Sequence, residues 1–438
     1  MPGTAARVCA PMTHPLSVGV AGLGTVGTGV LTLLRDHAEV VTARAGVPIA
    51  VTAVSARDRS KDRGLSLGGL RWYDDPVALV SDAGVDVVVE LIGGADGPAR
   101  ALVEAALAAG KPVVTANKAM LALHGAELAA AAETAGVTLA FEAAVAGGIP
   151  VIKALREGLA GNRISRIAGI LNGTCNYILT QMREHGREFA DVLADAQRLG
   201  YAEADPSFDV DGIDAAHKLA ILAALAFGRP VAFGAVHVEG IRGVSALDIG
   251  FARELGYRIK LLGLARQTEA GIEARVHPCM VPDTSPLARV DGVFNAVVTE
   301  GDFVGRMMLE GRGAGAGPTA SAVVADLVDL ARGRSTPMWG GALSDAPSVP
   351  ISAHVGTYYL RLMVVDRPGV IADVTAALRD HGVSLESMLQ RGRAPGEAVP
   401  VVLVTHETRE SAMRAALDRI AALDAVLEAP SLIRIEAG

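Results

Sequence analysis

Residues 18–34, Val18-Gly-Val-Ala-Gly22-Leu23-Gly24-Thr25-Val26-Gly27-Thr-Gly-Val-Leu-Thr-Leu-Leu34, run from a short apolar stretch through spaced glycines into a second apolar stretch with helical spacing. That is a strand, a tight turn and a helix start, the fingerprint of a dinucleotide-binding βαβ unit. Gly22 permits the turn, Gly24 admits a pyrophosphate to the backbone, and Gly27 lets helix and strand pack closely. The N–H groups of the new helix face the anion, so Gly22, Leu23, Gly24, Thr25, Val26 and Gly27 are the expected cofactor contacts. The competing reading is a glycine-rich turn with no ligand; a strand before, a helix after and a second strand at βαβ distance favour the cofactor. That second strand, Val47–Val54, ends in Ser55-Ala-Arg57-Asp58-Arg59, where an enzyme using NAD usually carries an acidic residue for the ribose 2′-hydroxyl. Ser55, Arg57 and Arg59 suit a 2′-phosphate better, which favours NADP, while Asp58 leaves NAD open.

A chain of 438 residues is expected to hold two or three domains. Half its residues are hydrophobic, 4% are aromatic and its net charge is -8, which argues against a nucleic-acid partner and for an ordinary soluble protein. Cys9, Cys175 and Cys279 lie far apart without Cys-x-x-Cys spacing, so neither a disulfide framework nor a thiolate metal site is expected, and a reducing cytoplasm fits. Leu16–Leu34 is uncharged and nearly long enough to span a bilayer, but five glycines break it, so no membrane segment is expected. The first fifteen residues lack the pattern of a signal peptide and are expected to be a disordered leader, with Met12 as a second candidate start.

Alternation continues past the second strand. Val85–Ile92 is an apolar run of parallel-strand type, followed by Gly93-Gly94, a helix over 97–109 and a strand over Pro112–Ala116. Strands and helices taking turns predict a doubly wound Rossmann-type sheet over residues 16–145. Glu142–Pro150 then reads as a bend, followed by a helix over 151–158 and a strand from Arg163. An α+β region is expected over 146–340, with a late helix at Val323–Ala331 packing back on the first domain.

The densest polar constellation is Gly200-Tyr-Ala-Glu203-Ala-Asp205-Pro-Ser-Phe-Asp209-Val-Asp211-Gly-Ile-Asp214-Ala-Ala-His217-Lys218. Asp214 and Lys218 are neighbours on one helix face, which an ordinary surface ion pair would explain. The helix continues as Leu219–Phe227, however, and so carries Lys218 toward the interior. A desolvated lysine beside carboxylates is a natural proton-transfer group. His217 lies on another face and reads as structural. No His-x-x-x-His or His-Glu-x-x-His pattern occurs, so zinc catalysis is not expected.

Taken together, Gly22–Gly27, Thr115-Ala-Asn117-Lys118, Leu171-Asn-Gly-Thr-Cys-Asn176, the Glu203–Lys218 segment and Gly311-Arg-Gly-Ala-Gly-Ala-Gly-Pro-Thr319 resemble homoserine dehydrogenase, across residues 16–335. The resemblance implies reversible NAD(P)-dependent reduction of L-aspartate 4-semialdehyde to L-homoserine, on the route to threonine, methionine and isoleucine. It implies that Glu203, Asp209 and Asp214 hold the substrate, that Lys218 transfers the proton at the substrate oxygen, and that Lys118 lies near nicotinamide and substrate. By the same matching Gly200 and Gly315 line the cofactor cleft. Glu142, Val145, Gly147 and Ile149 match a structural monovalent-cation site, with backbone oxygens coordinating sodium. Residues 146–340 are then the catalytic and dimerisation domain of a homodimer or homotetramer. Arg312 departs from the proline that the family often has there.

Residues 341–352, with Asp345-Ala-Pro-Ser-Val-Pro350, read as a linker. From 353 to 438 the pattern is βαββαβ, a ferredoxin-like module, and its Asp366-Arg-Pro-Gly-Val370 turn resembles that of an ACT domain. The resemblance implies amino-acid binding, with threonine as effector, in a tail separable from the chemistry; a ligand-free oligomerisation module is the competing reading. At this length a monofunctional form without an aspartate kinase domain is expected. Two other readings remain: an oxidoreductase for another small amino or hydroxy acid, against which the Glu203, Asp214 and Lys218 set argues, and a non-catalytic amino-acid sensor, against which Lys118 and Lys218 speak. An acyl-phosphate-forming aldehyde dehydrogenase would need Cys175 as its nucleophile, which the resemblance explains otherwise.

Overall fold

Strand β1 (Leu16–Ala21) is followed by helices α1 (Thr25–Asp36) and α2 (Ala38–Ala45) and strand β2 (Ile49–Ser55), which completes the opening βαβ unit of this computed structural model. Residues 12–391 and 395–436 are described. β3 (Arg71–Tyr73), β4 (Val87–Glu90), α3 (Pro98–Ala108), β5 (Val113–Thr115), α4 (Lys118–Ala135) and β6 (Leu139–Ala140) continue the alternation. All six strands are parallel, in the order β3-β2-β1-β4-β5-β6. A parallel sheet is covered on both faces, which is why β4 is apolar without alternation and Val87, Val88 and Val89 are all buried. The strand order reverses beside β1, and the crevice at such a switch point is where an α/β sheet binds its ligand.

The chain then forms α5 (Val151–Lys153), which passes into a π-helical turn over Ala154–Gly158, and β7 (Ile164–Ile170). Four helices follow: α6 (Gly173–His185), α7 (Phe189–Arg198), α8 (Ser207–Val210) and α9 (Ile213–Phe227). Next come β8 (His237–Val238), α10 (Ala246–Glu254), the long hairpin β9 (Tyr257–Thr268) and β10 (Gly271–Pro282), and the hairpin β11 (Phe294–Gly301) and β12 (Gly305–Arg312). Helix α11 (Ala316–Ala331) closes this part. It starts seven residues before the sequence reading placed it, because its first turns are small residues with no apolar period to read.

The last segment is β13 (Val355–Val365), α12 (Val370–Asp380), β14 (Leu385–Gln390), β15 (Ala398–Thr405), the two-residue β16 (Thr408–Arg409), α13 (Glu410–Ala421) and β17 (Ser431–Ile435). Along β13 the pleat sends Tyr358, Leu360, Leu362 and Val364 into one apolar core with Val374 of α12 and Met413 of α13. Tyr359 and Arg361 point to the opposite face, where both bond the buried Asp248 of α10.

The chain divides into two compact units that are not a linear succession of modules. One runs up to Gly173 and adds Ala216–Gly234 and Phe294–Ala346; the other takes Thr174–Ala215, Ala235–Val293 and the chain from Pro347. The first holds the parallel sheet and the antiparallel strands β12-β11-β7. In it α11 packs on α1, where a Cβ at Gly29 would fall 2.6 Å from the Ala316 carbonyl oxygen. The second holds the strands β9-β10-β17-β13-β15-β14. Here β10 and β17 pair in parallel through Cys279–Arg434 and Met280–Ile435, so the C-terminal module joins a sheet begun by the β9–β10 hairpin.

Residues 341–350, in the segment read as a linker, are irregular, as their prolines require, and are held by backbone hydrogen bonds. Ser344 N–H donates to Gly228 O at 2.9 Å within the first unit, while Ile272 N–H donates to Pro347 O at 2.9 Å and Val349 N–H to Ile272 O at 2.8 Å within the second. Of the expected leader, residues 1–11 lie outside the described residues. Met12 is already placed, its N–H donating to Ala331 O at 3.1 Å and its side chain packing on the core.

Candidate functional site

The three fingerprint glycines do different physical work. Gly22 has φ +100°, and a Cβ there would sit 2.4 Å from Leu91 O; one on Gly27 would sit 2.0 Å from Gly22 O. Both positions therefore exclude any side chain. Gly24 has no heavy atom within 4 Å of its would-be Cβ and caps α1 without a side-chain hydrogen bond. An open glycine before the unsatisfied N–H groups of Thr25 and Val26 fits a pyrophosphate. Leu23, 5% exposed, anchors the turn in the core.

Beyond β2 the sequence reading missed Arg63, whose Nε donates to Leu23 O at 3.2 Å and whose Nη2 donates to Asp58 O at 2.6 Å. Its signal was the basic run Arg57, Arg59, Lys61, Arg63, one cation every second residue. Arg59 and Arg63 both stand over the Trp72 ring, at 5.7 and 5.6 Å, and Arg57 is exposed. The Asp58 carboxylate accepts from Ser60 Oγ at 2.6 Å and Ser60 N at 2.8 Å. Those bonds, the Ser60 hydroxyl foremost, hold its carboxyl below the usual range.

At the end of β4 sits a second group missed in the sequence, Glu90, fully buried at the close of an apolar run. It accepts from Ile92 N at 2.7 Å, Gly93 N at 3.1 Å and Thr115 Oγ1 at 2.6 Å. Asn117 caps α4, its Oδ1 accepting from Met120 N at 3.1 Å while its Nδ2 donates to Gly94 O at 2.6 Å. This cap places half-buried Lys118 as the first residue of α4.

The bend after β6 is built on a buried carboxylate. Glu142, 2% exposed, accepts from Ile152 N at 3.0 Å and Lys153 N at 2.9 Å, satisfying the start of α5. Burial, with the Asp326 carboxylate beside it, pushes the Glu142 carboxyl up to about 7. Ala146 and Gly147 take left-handed φ values of 55° and 47°, and Gly148 N–H donates to Arg312 O at 3.0 Å. A Cβ on Gly147 would lie 2.4 Å from Gly313 O, so this bend and the loop before α11, which ends at Gly315 with φ +120°, are packed backbone to backbone. Val145 and Ile149 are buried, so beside the Glu142 carboxylate the bend offers its backbone groups. Among the described residues no cluster of three or more His, Cys, Asp or Glu side chains is arranged to hold a metal ion.

Helix α9 carries Lys218 into the interior as its apolar face requires; the lysine is 8% exposed, and its Nζ donates to Leu171 O at 2.8 Å. His217 stacks on Phe233, ring centroids 4.4 Å apart. The acidic segment belongs to the second unit, and its carboxylates differ in kind. Asp205 accepts from Ser207 N at 3.1 Å, and Asp211 pairs with Arg242. Glu203 is exposed, Asp209 half-buried, and Asp214, in the first turn of α9, is 4% exposed. Gly200, with φ +76°, ends α7. Cys175 is fully buried, and its thiol donates to Asp209 O at 3.2 Å, a packing role rather than that of a nucleophile.

A glycine turn at the switch point of a parallel sheet and a βαββαβ module make the architecture of a dinucleotide-binding protein with an appended ferredoxin-like domain. Residues 22–142 match the NAD-binding domain of homoserine dehydrogenase, residues 150–328 the homoserine dehydrogenase family and residues 358–424 the ACT domain. The chain is 49% identical over 432 residues to homoserine dehydrogenase of Pseudomonas aeruginosa, covering 96% of this chain and 99% of that protein. It is 48% identical over 431 residues to that of Neisseria gonorrhoeae, again covering 96% and 99%. The crystal structure of a homoserine dehydrogenase from Thiobacillus denitrificans superposes with a TM-score of 0.92 at 52% identity, covering 97% of this chain and 98% of that one. A hyperthermophilic archaeal homoserine dehydrogenase in complex with NADPH matches with a TM-score of 0.61 at 27% identity, covering 72% of this chain and 97% of that one. The chain belongs to the homoserine dehydrogenase family.

Proposed function

We propose that this homoserine dehydrogenase interconverts L-aspartate 4-semialdehyde and L-homoserine with NADP in preference to NAD, feeding threonine, methionine and isoleucine formation. The observation that carries the preference is the basic loop after β2, where Arg59 and Arg63 stand over Trp72, Arg57 is exposed and the Asp58 carboxylate accepts from Ser60. The archaeal relative holding NADPH supports the same choice.

When bound, the nicotinamide supplies or takes up the hydride. Lys218 moves the proton at the substrate's C4 oxygen, with its ammonium oriented by the Leu171 carbonyl. Asp214 and Glu203, with the charge of Asp209, hold the substrate's polar groups, and Lys118 serves the nicotinamide and substrate from the start of α4. Gly200 and Gly315 are further proposed cofactor contacts, on the family resemblance. The bend of Glu142, Val145, Gly147 and Ile149 offers oxygen donors only, which suits a hard monovalent cation such as sodium in a structural role.

The ACT domain takes an amino-acid effector, with threonine as the proposed one, and the enzyme works as a homodimer or homotetramer in the cytoplasm. The test is steady-state homoserine oxidation with each cofactor, with and without threonine, alongside a solution mass. Higher kcat/KM with NADP and inhibition by threonine are expected. Equal use of both cofactors overturns the preference, and no response to any amino acid leaves an oligomerising module.

A further inference from the structure

The ACT domain and the acidic segment of the second unit meet at one residue to which no substrate role is assigned, Glu239. Arg434 of β17, 1% exposed, donates to Glu239 Oε2 at 2.8 Å and to Glu410 at 2.8 and 2.6 Å. Arg414 of α13 adds a bond to Glu239 Oε1 at 2.8 Å. Two guanidiniums of the ACT domain therefore grip one carboxylate of the segment after β8.

The backbone around that carboxylate is packed against the turn that launches α9. A Cβ on Gly240 would fall 2.3 Å from Val210 O and 2.5 Å from Asp211 Cα, and Ile241 N–H donates to Val210 O at 2.8 Å. Arg242 pairs with Asp211 and donates to Ser207 Oγ at 3.1 Å. Gly212, at φ +86°, has the Val238 side chain 3.1 Å from its would-be Cβ. Residues 238–242 thus clamp residues 207–212, and Asp214 stands two residues beyond, in the first turn of α9.

We propose that Glu239 is a positioning residue for the substrate: gripped by Arg434 and Arg414, it sets where the Val210–Gly212 turn, and with it Asp214, stands. The proposal rests on the reading of Asp214 as a substrate-holding carboxylate. A change at α13 or β17 then reaches homoserine affinity through Glu239 and leaves cofactor affinity alone.

The test uses the full-length enzyme and reads KM for homoserine, KM for NADP and kcat separately. Glu239→Gln keeps the shape and an acceptor but loses the charge. It is expected to raise the homoserine KM about three- to tenfold, the scale of coupling through a packed network, with the other two constants within about twofold. Arg361→Lys, which disturbs the separate Asp248 cluster of the same domain, is expected to leave the homoserine KM in place. If Glu239→Gln moves both KM values together, or Arg361→Lys raises the homoserine KM as much, Glu239 only stabilises the fold. Should Glu239→Gln not fold, Arg414→Gln at a half-exposed site carries the same test, and an unchanged homoserine KM in it overturns the proposal. Asp214→Asn separates the two layers: if it leaves homoserine kinetics untouched, the role of Asp214 fails, and if it acts while Glu239→Gln does not, only the role of Glu239 fails.

Discussion

Lys218 Nζ donates to the Leu171 carbonyl oxygen at 2.8 Å, which ties the interior lysine of α9 to the corner where β7 gives way to α6. A carbonyl accepts a hydrogen bond without taking a proton, so it orients the ammonium without competing for what the lysine transfers. Lys218→Ala should therefore lower turnover by about two to four orders of magnitude, the scale of general acid–base catalysis, and leave NADP binding nearly unchanged. Turnover close to wild type across pH, with cofactor binding followed by fluorescence titration, removes Lys218 from the chemistry.

Arg57 and Arg63 differ in what they hold, and their variants should differ accordingly. Arg57 is exposed, whereas Arg63 also bonds the Leu23 carbonyl of the phosphate turn. Arg57→Ala should raise the KM for NADP by about tenfold or more and spare NAD, because a charge-assisted bond is worth about 1.5–3 kcal/mol and only NADP carries the phosphate. Arg63→Ala should weaken both cofactors. Equal effects of Arg57→Ala on the two show that it does not read the 2′-phosphate.

Lys260, 1% exposed, lies under Asn176 Oδ1, Val290 O and Asp291, with Arg183 and Arg258 also bonded to Asp291. Burial brings its ammonium down from 10.5 to about 8 despite the Asp291 carboxylate. Between those two values the unfolded chain binds more protons than the folded one, so stability rises with pH through that window, by up to about 3 kcal/mol. Below about pH 8 the cost of the buried charge is present in full. Denaturant midpoints of wild type and Lys260→Met across pH 7–10 should diverge in favour of wild type as pH rises above about 8. A constant difference contradicts the depressed value.

The sequence predicts that truncation after Ser344 leaves a working, effector-blind enzyme provided the tail is not needed for solubility, and the contacts of the tail bear on that proviso. The cut removes Arg361 from Asp248, Arg434 from Glu239 and Glu436 from Arg275, and it strips β17 from the edge of β10. Breaking a buried ion pair costs about 3–5 kcal/mol, and an exposed strand edge invites aggregation. Expression should give insoluble protein or a melting point far below that of the full chain. A soluble, monodisperse and fully active fragment shows that the seam is dispensable.

Periodicity and glycine spacing determined the parallel sheet, the phosphate turn and the βαββαβ tail, because each depends on residues close together in the chain. Lys218 was legible for the same reason: an apolar helix has only one side to present to the core. The bond of Arg63 to Leu23, that of Glu90 to Thr115 and the grip of Arg434 and Arg414 on Glu239 were not, since those partners lie far along the chain. Proline-rich composition marked residues 341–352 as irregular but was silent on their hydrogen bonds to Gly228 and Ile272. Only the tertiary structure decided that the tail shares a sheet with the β9–β10 hairpin, because strand pairing is made by backbone groups that every residue except proline carries alike.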